Sequence, residues 1–184
     1  MKTLKYTFAL LAITLFTVSC SDDDPVIVNE EEVITTMTVE LVATGQTTVT
    51  LRTRDLDGDG PDAPIVSVSG PLAANTTYTG SIELLDETDL NDVDNITLEV
   101  EEEDEEHQFF FTSTVGTVAY ADADANGNPV GLSFTLTTGA AGSGNFTVTL
   151  RHEPVKDAAG VSDGDITNAG GETDITETFP VTVQ

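Results

Sequence analysis

From Val33 onward apolar and polar residues alternate, the period of a half-buried β-strand. Val33, Met37, Val39 and Leu41 fall on one face, with Thr36, Thr38 and Glu40 on the other. Thr44-Gly45 interrupts the run, and Val49 and Leu51 resume it within Gln46 to Arg54. That arrangement predicts a hairpin. The alternation returns at four later places: Tyr78, Ile82 and Leu84; Leu132, Phe134 and Leu136; Phe146, Val148 and Leu150; and Ile175, Phe179, Val181 and Val183. Thr and Val dominate these runs, as suits a pleated surface with one dry face. Asn126-Gly127 is the dipeptide of a tight type I′ hairpin turn.

One stretch reads two ways. Asn95 to Phe111 begins as alternation at Ile96, Leu98 and Val100. Yet Asp94 or Asn95 suits a helix cap, and Ile96, Val100, Glu103 and His107 would share a helical face. A short acidic helix entering a strand near His107 is the preferred reading; strand throughout residues 95–106 is the alternative. Short strands separated by turn signals predict an all-β fold, a β-sandwich with this one short helix. The stretch from Gly70 to Thr79, "GPLAANTTYT", resembles the tyrosine corner of fibronectin type III and related immunoglobulin-like domains. The resemblance implies an immunoglobulin-like sandwich in which the Tyr78 hydroxyl returns to nearby backbone. No internal repeat is visible, so residues 33–184 read as a single domain.

The N-terminus carries a different signal. Lys2 and Lys5 precede the apolar run Thr7 to Phe16, followed by small or uncharged residues up to Cys20. This is the layout of a secretory leader, and the run is shorter than the roughly 20 residues that span a bilayer. Cys20 is the only cysteine, so no internal disulfide forms. "TVSC" (Thr17 to Cys20) resembles a bacterial lipoprotein box, and "SDDD" (Ser21 to Asp24) resembles the acidic signal that sends Bacteroidota lipoproteins outward. The resemblance implies a leader over residues 1–19, lipidation at Cys20, and an acidic tether over residues 20–32. It also implies an outer-membrane protein, lipid-anchored and facing the cell exterior.

The chain has 33 acidic and 6 basic residues, a net charge of −27. Losing Lys2 and Lys5 with the leader makes the mature chain more acidic still. Nucleic acid and anionic lipid headgroups demand basic surface and are excluded as partners. Cations or a basic protein surface are favoured.

Several constellations suit a cation. Asp55, Asp57 and Asp59, followed by Gly60, have the D-x-D-x-[D/N]-G spacing of a calcium loop, as do Asp122, Asp124 and Asn126 followed by Gly127. Neither has a glutamate at the twelfth position, where Val66 and Ser133 stand, so neither is an EF-hand. Asp, Asn and Gly are also ordinary turn residues. His107 alternates with Phe109 and Phe111, and His152 continues the face of Phe146, Val148 and Leu150. Both histidines therefore belong at strand ends on the apolar side, with Glu106 and Glu153 beside them. Two imidazoles with such carboxylates can hold Zn²⁺ or Cu²⁺; a structural histidine is the plainer alternative. The run Glu99 to Glu106 reads as a solvated face or a cation-collecting patch, and Phe109 to Phe111 as core. A G-x-S-x-G elbow is missing, and neither histidine has a nucleophile close in sequence, so the chain reads as non-catalytic.

Stretches such as "EEEVITT", "RDLDGDGP", "EEHQFFF", "LRHEP" and "DITNAGGETDI" resemble a group of small Bacteroidota surface lipoproteins across the mature chain. Such proteins often carry the label of a type 1 periplasmic binding fold. That fold needs alternating strands and helices over two lobes, and this chain is too short and too rich in strand for it. What the resemblance implies is an accessory that binds something for import through a TonB-dependent outer-membrane receptor; with His107, His152 and the neighbouring glutamates as ligands, the expectation is a binding module that captures a nutrient such as a metal ion or its complex. A structural or adhesive domain stiffened by calcium is the alternative.

Overall fold

A computed structural model describes residues 32–57 and 61–184. The expected leader, Cys20, the expected tether as far as residue 31, and Asp59 of the first aspartate loop lie outside the described residues. The described chain forms nine strands in two antiparallel sheets with one α-helix, an all-β architecture. Strands β1 (Thr36–Val42), β2 (Val49–Arg54), β3 (Ile65–Val68) and β4 (Thr77–Leu85) are followed by α1 (Ile96–Glu102). Strands β5 (His107–Ser113), β6 (Gly116–Tyr120), β7 (Ser133–Thr138), β8 (Gly142–His152) and β9 (Glu172–Val183) complete it. One sheet runs β3-β2-β1-β4-β7-β6 and the other β5-β8-β9.

The alternation in the sequence becomes the interior between the sheets. Met37, Val39, Leu41 and Leu51 of the larger sheet and Phe109, Phe146, Val148, Leu150 and Phe179 of the smaller are fully buried in one shared core. Each large apolar side chain so buried contributes about 1.5–3 kcal/mol relative to exposure. The β1–β2 hairpin forms as its pattern predicts, with Gly45 at φ 78° in the turn. Phe134 needs room that a neighbour supplies by having no side chain. Its cross-strand partner is Gly80, where a Cβ would fall within the van der Waals shell of the ring. The Tyr78 hydroxyl accepts the Ala73 N–H at 2.8 Å, the backbone return implied by its tyrosine-corner resemblance.

The ambiguous stretch resolves as helix followed by strand. The Asn95 side chain caps the Thr97 N–H at 3.1 Å. Ile96 and Val100 face inward, and Thr97 Oγ1 accepts from Leu84 N–H at 2.8 Å, fixing the helix to the end of β4. Three features depart from the sequence pattern. Strands β3 and β6 form although neither stands out as an alternating run. Short 3₁₀ turns occupy Val161–Asp163 and Ile166–Asn168. Asn126-Gly127 does not make a tight type I′ hairpin: β6 and β7 are joined by a long loop, and only Gly127 of the pair has positive φ. The dipeptide instead ends a turn in which Gly127 N–H donates to the Asp124 carbonyl at 3.0 Å.

Candidate metal centre

Strands β5 and β8 pair in a register that sets His107 directly opposite His152. Both lie on the inward face, in phase with Phe109 and with Leu150, at the end of the sandwich where the apolar stack runs out. Their rings stack with centroids 4.5 Å apart and planes inclined by 29°. His107 is 0% exposed and His152 3%. The two imidazoles, far apart in sequence, thus meet in the interior.

Two carboxylates join them, neither among those adjacent in sequence. Glu32, expected to end the tether, belongs instead to the folded body, with its side chain only 9% exposed. Its Oε1 lies 3.3 Å from His107 Nε2, and its Oε2 lies 3.4 Å from His152 Nδ1. Asp174 arrives through an irregularity in β9. Leu150 pairs with Ile175 but Arg151 pairs with Thr173, so Asp174 is an extra residue in the ladder. A bulge of this kind reverses which face the following residues take. It turns Thr173 outward, where the Arg151 guanidinium contacts its hydroxyl, and brings Asp174 Oδ1 to 3.9 Å from His152 Nδ1. One ligand atom from each of Glu32, His107, His152 and Asp174 lies within 4.8 Å of all the others.

Hydrogen bonding fixes which nitrogen of the first imidazole carries a proton. His107 Nδ1 lies 3.1 Å from the carbonyl oxygen of Glu103, in the turn after α1. A carbonyl only accepts, so Nδ1 carries the proton. In a neutral ring Nε2 would then be a lone pair, buried, without a hydrogen-bond partner among the described residues and 3.3 Å from a carboxylate oxygen. Two acceptors facing each other repel unless a proton or a metal cation lies between them. A carbonyl on one ring nitrogen with the other left for an ion is the usual support of a metal-bound histidine. The spacing also agrees. Ligand atoms about 2.05 Å from a tetrahedral Zn²⁺ are about 3.3 Å apart; each Glu32 oxygen lies at such a distance from one ring, 3.3 and 3.4 Å, and Asp174 stands wider at 3.9 Å. The field is negative as well. Burial first, then the carboxylates of Glu32, Glu103, Asp94 and Glu102, push the Glu99 carboxyl above its usual range.

The other residues singled out in the sequence sit differently. Glu106 stands at the rim, its carboxylate 4.0 Å from His152 Nε2; with Glu103 and His152 it makes a second, more exposed cluster. Glu153 does not reach the histidines. It takes a left-handed conformation at φ 48°, its side chain is exposed, and its N–H donates to the Glu106 carbonyl at 2.7 Å. In the first aspartate loop, Asp57 N–H donates to Asp55 Oδ1 and Asp62 N–H to Asp57 Oδ2, each at 3.3 Å.

Asp122 and Asp124 hold the second loop together. Asp122 accepts from the N–H groups of Gly131 and Ser133, both at 2.7 Å. Asp124 Oδ1 accepts from the N–H groups of Asn126 and Asn128 at 2.9 Å, while Oδ2 pairs with Lys156 Nζ at 3.0 Å. Burial raises the Asp124 carboxyl, but Lys156 and the amides of Asn128 and Asn126 outweigh it and hold it below its usual range. Lys156, unmarked by any sequence pattern, is 5% exposed and also donates to the carbonyls of Pro129, at 3.2 Å, and of Asp104.

No helix among the described residues is long and apolar enough to cross a membrane. No protein-family model, curated protein or solved structure matches this chain.

Proposed function

We propose that this protein is a non-catalytic binding module whose body holds a divalent transition-metal ion, Zn²⁺ or Cu²⁺, between Glu32, His107, His152 and Asp174. The observation that carries the reading is the buried His107 Nε2 set 3.3 Å from the Glu32 carboxylate, with Nδ1 tied to the Glu103 carbonyl. Two imidazoles and two carboxylates are ligands these ions accept, whereas Ca²⁺ prefers oxygen alone. Four protein ligands fill a tetrahedral sphere and leave no open position for a reacting water, which favours holding over catalysis. On the lipoprotein reading of Cys20, the module stands outside the outer membrane and supplies its ion to a receptor there.

The test uses the full chain in detergent, stripped by chelator and then titrated with Zn²⁺, Cu²⁺ or Ca²⁺ while melting is followed. An ion that binds only the folded state, at 100 times its Kd, adds about 2.7 kcal/mol. For a body of this size that is a rise of about 5–11 °C. The rise should appear with Zn²⁺ or Cu²⁺ and vanish in His107→Gln and His152→Gln. Absence of a rise with either ion would sink the reading. A Ca²⁺ response lost on changing Asp55 or Asp57 would instead support the calcium-stiffened domain.

A further inference from the structure

A buried site needs a way in. Between the two sheets, beside Glu32, lies a groove of about 630 Å³. Glu32 and Asp174 form one part of its wall, and Asp55, Asp57, Glu177 and Thr88 line other parts. Among the described residues of its lining there is no Lys, Arg or His. Glu32 thus belongs to both spaces: one side of its carboxylate faces the stacked histidines, and it also borders the groove. Its side chain is 9% exposed, and its buried Oε2, 3.4 Å from His152 Nδ1, accepts no hydrogen bond among the described residues. Glu177 is held in place across the sheets, since its Oε2 accepts from the Thr53 hydroxyl of β2 at 2.8 Å.

We propose that this groove is the entry route of the ion, with Asp55, Asp57 and Glu177 drawing a hydrated divalent cation inward to Glu32 and Asp174, which pass it to the histidines. The proposal rests on the metal-holding reading above and adds to it which residues set the rate. A cleft lined by one sign of charge, with low-dielectric walls, concentrates ions of the opposite sign and raises association rates 10- to 1,000-fold. Uniform acidity of the whole surface would attract cations without direction, but here carboxylates border the groove that also reaches two of the ligands. Asp55 and Asp57 then act as collectors, and their D-x-D spacing serves ion traffic.

The experiment measures Zn²⁺ association and dissociation on the full chain by stopped flow against a chromogenic zinc indicator. Wild type is compared with Asp55→Asn/Asp57→Asn, with Glu177→Gln, and with Thr88→Lys, which puts a positive charge at the exposed Thr88 position in the groove. At low ionic strength, where screening reaches beyond about 30 Å, association should slow about 5-fold or more in the double variant and in Thr88→Lys. Dissociation should be unchanged, and the difference should shrink at high salt. Equal association rates in wild type, the double variant and Thr88→Lys overturn the route. So does a change confined to dissociation, which would make Asp55 or Asp57 a ligand. A wild type that binds no Zn²⁺ removes the site itself, and the route with it. Thr88→Lys leaves every carboxylate in place, so the test survives if the aspartate variant fails to fold.

Discussion

Glu32→Gln separates a metal site from an ion pair by the sign of its effect. The carboxylate oxygens of Glu32 lie 3.3 Å from His107 Nε2 and 3.4 Å from His152 Nδ1. With His107 Nδ1 donating to Glu103, a neutral ring opposes lone pair to carboxylate when no ion is present. A glutamine is nearly isosteric and offers one of each kind of atom. Its NH₂ can donate to His107 Nε2 while its carbonyl accepts from a protonated His152 Nδ1. Relieving a buried unsatisfied acceptor is worth about 1–3 kcal/mol. Taking about 2 kcal/mol, the metal-free variant should melt about 4–8 °C above the metal-free wild type. The same change removes a charged ligand, so the Zn²⁺-induced rise should disappear. Calorimetry of both proteins in chelator, and again with Zn²⁺, reads both effects. If the histidine were instead an imidazolium paired with Glu32, deleting one buried partner would cost about 3–5 kcal/mol, and the variant would melt lower. A metal-free Glu32→Gln protein less stable than wild type would therefore refute the argument from the lone pair.

Lys156→Met should cost about 3–5 kcal/mol at neutral pH, because it leaves the Asp124 carboxylate buried without its cation. Lys156 holds that carboxyl's folded value below its unfolded one, so the pair's contribution is present above the ordinary carboxylate pKa of about 3.9 and is lost as pH falls through the folded value. Urea midpoints of wild type and variant should accordingly converge below about pH 4; a constant gap would argue against the pair. Gly80→Ala should lose about 1–3 kcal/mol by forcing Phe134 off its site, read as a lower urea midpoint at unchanged slope. Most of that loss should vanish in a Phe134→Leu background, and additivity of the two changes would refute the contact as its cause.

How much of this could be read in advance follows the range of the interactions. Strand faces such as Met37, Val39 and Leu41, and the Asn95 cap, are set by neighbours within a few positions, and the structure bears them out. The inward aim of both histidines also follows from period two. Their meeting does not, because it depends on the β5–β8 register, fixed by the whole apolar stack from Phe109 and Phe146 onward. Of the carboxylates beside them in sequence, Glu106 comes within 4.0 Å of His152 Nε2 and Glu153 does not approach the rings, for the same geometric reason. Glu153 follows His152 where the chain turns into a left-handed conformation, so adjacency carries it away from the ring. Asp174 reaches the ring only through a bulge, and an inserted residue leaves no mark in a pattern of Thr, Asp and Ile. Glu32 looked like tether because acidic residues surround it. Lys156 is a lone basic residue in a polar loop, and only the fold reveals that three oxygens wait for it.

Glu32 also has a mechanical meaning. It precedes β1, an interior strand bonded to β2 on one side and β4 on the other. Tension entering through the N-terminal residues reaches Glu32 before it reaches that double ladder. The other three residues of the proposed site belong to the opposite sheet. An ion held there would act as a clasp in series with the chain, diverting load into β5, β8 and β9 and sparing β1 until the coordination bonds give way. Whether the module is loaded with metal would then set how hard it can be pulled before its first strand peels.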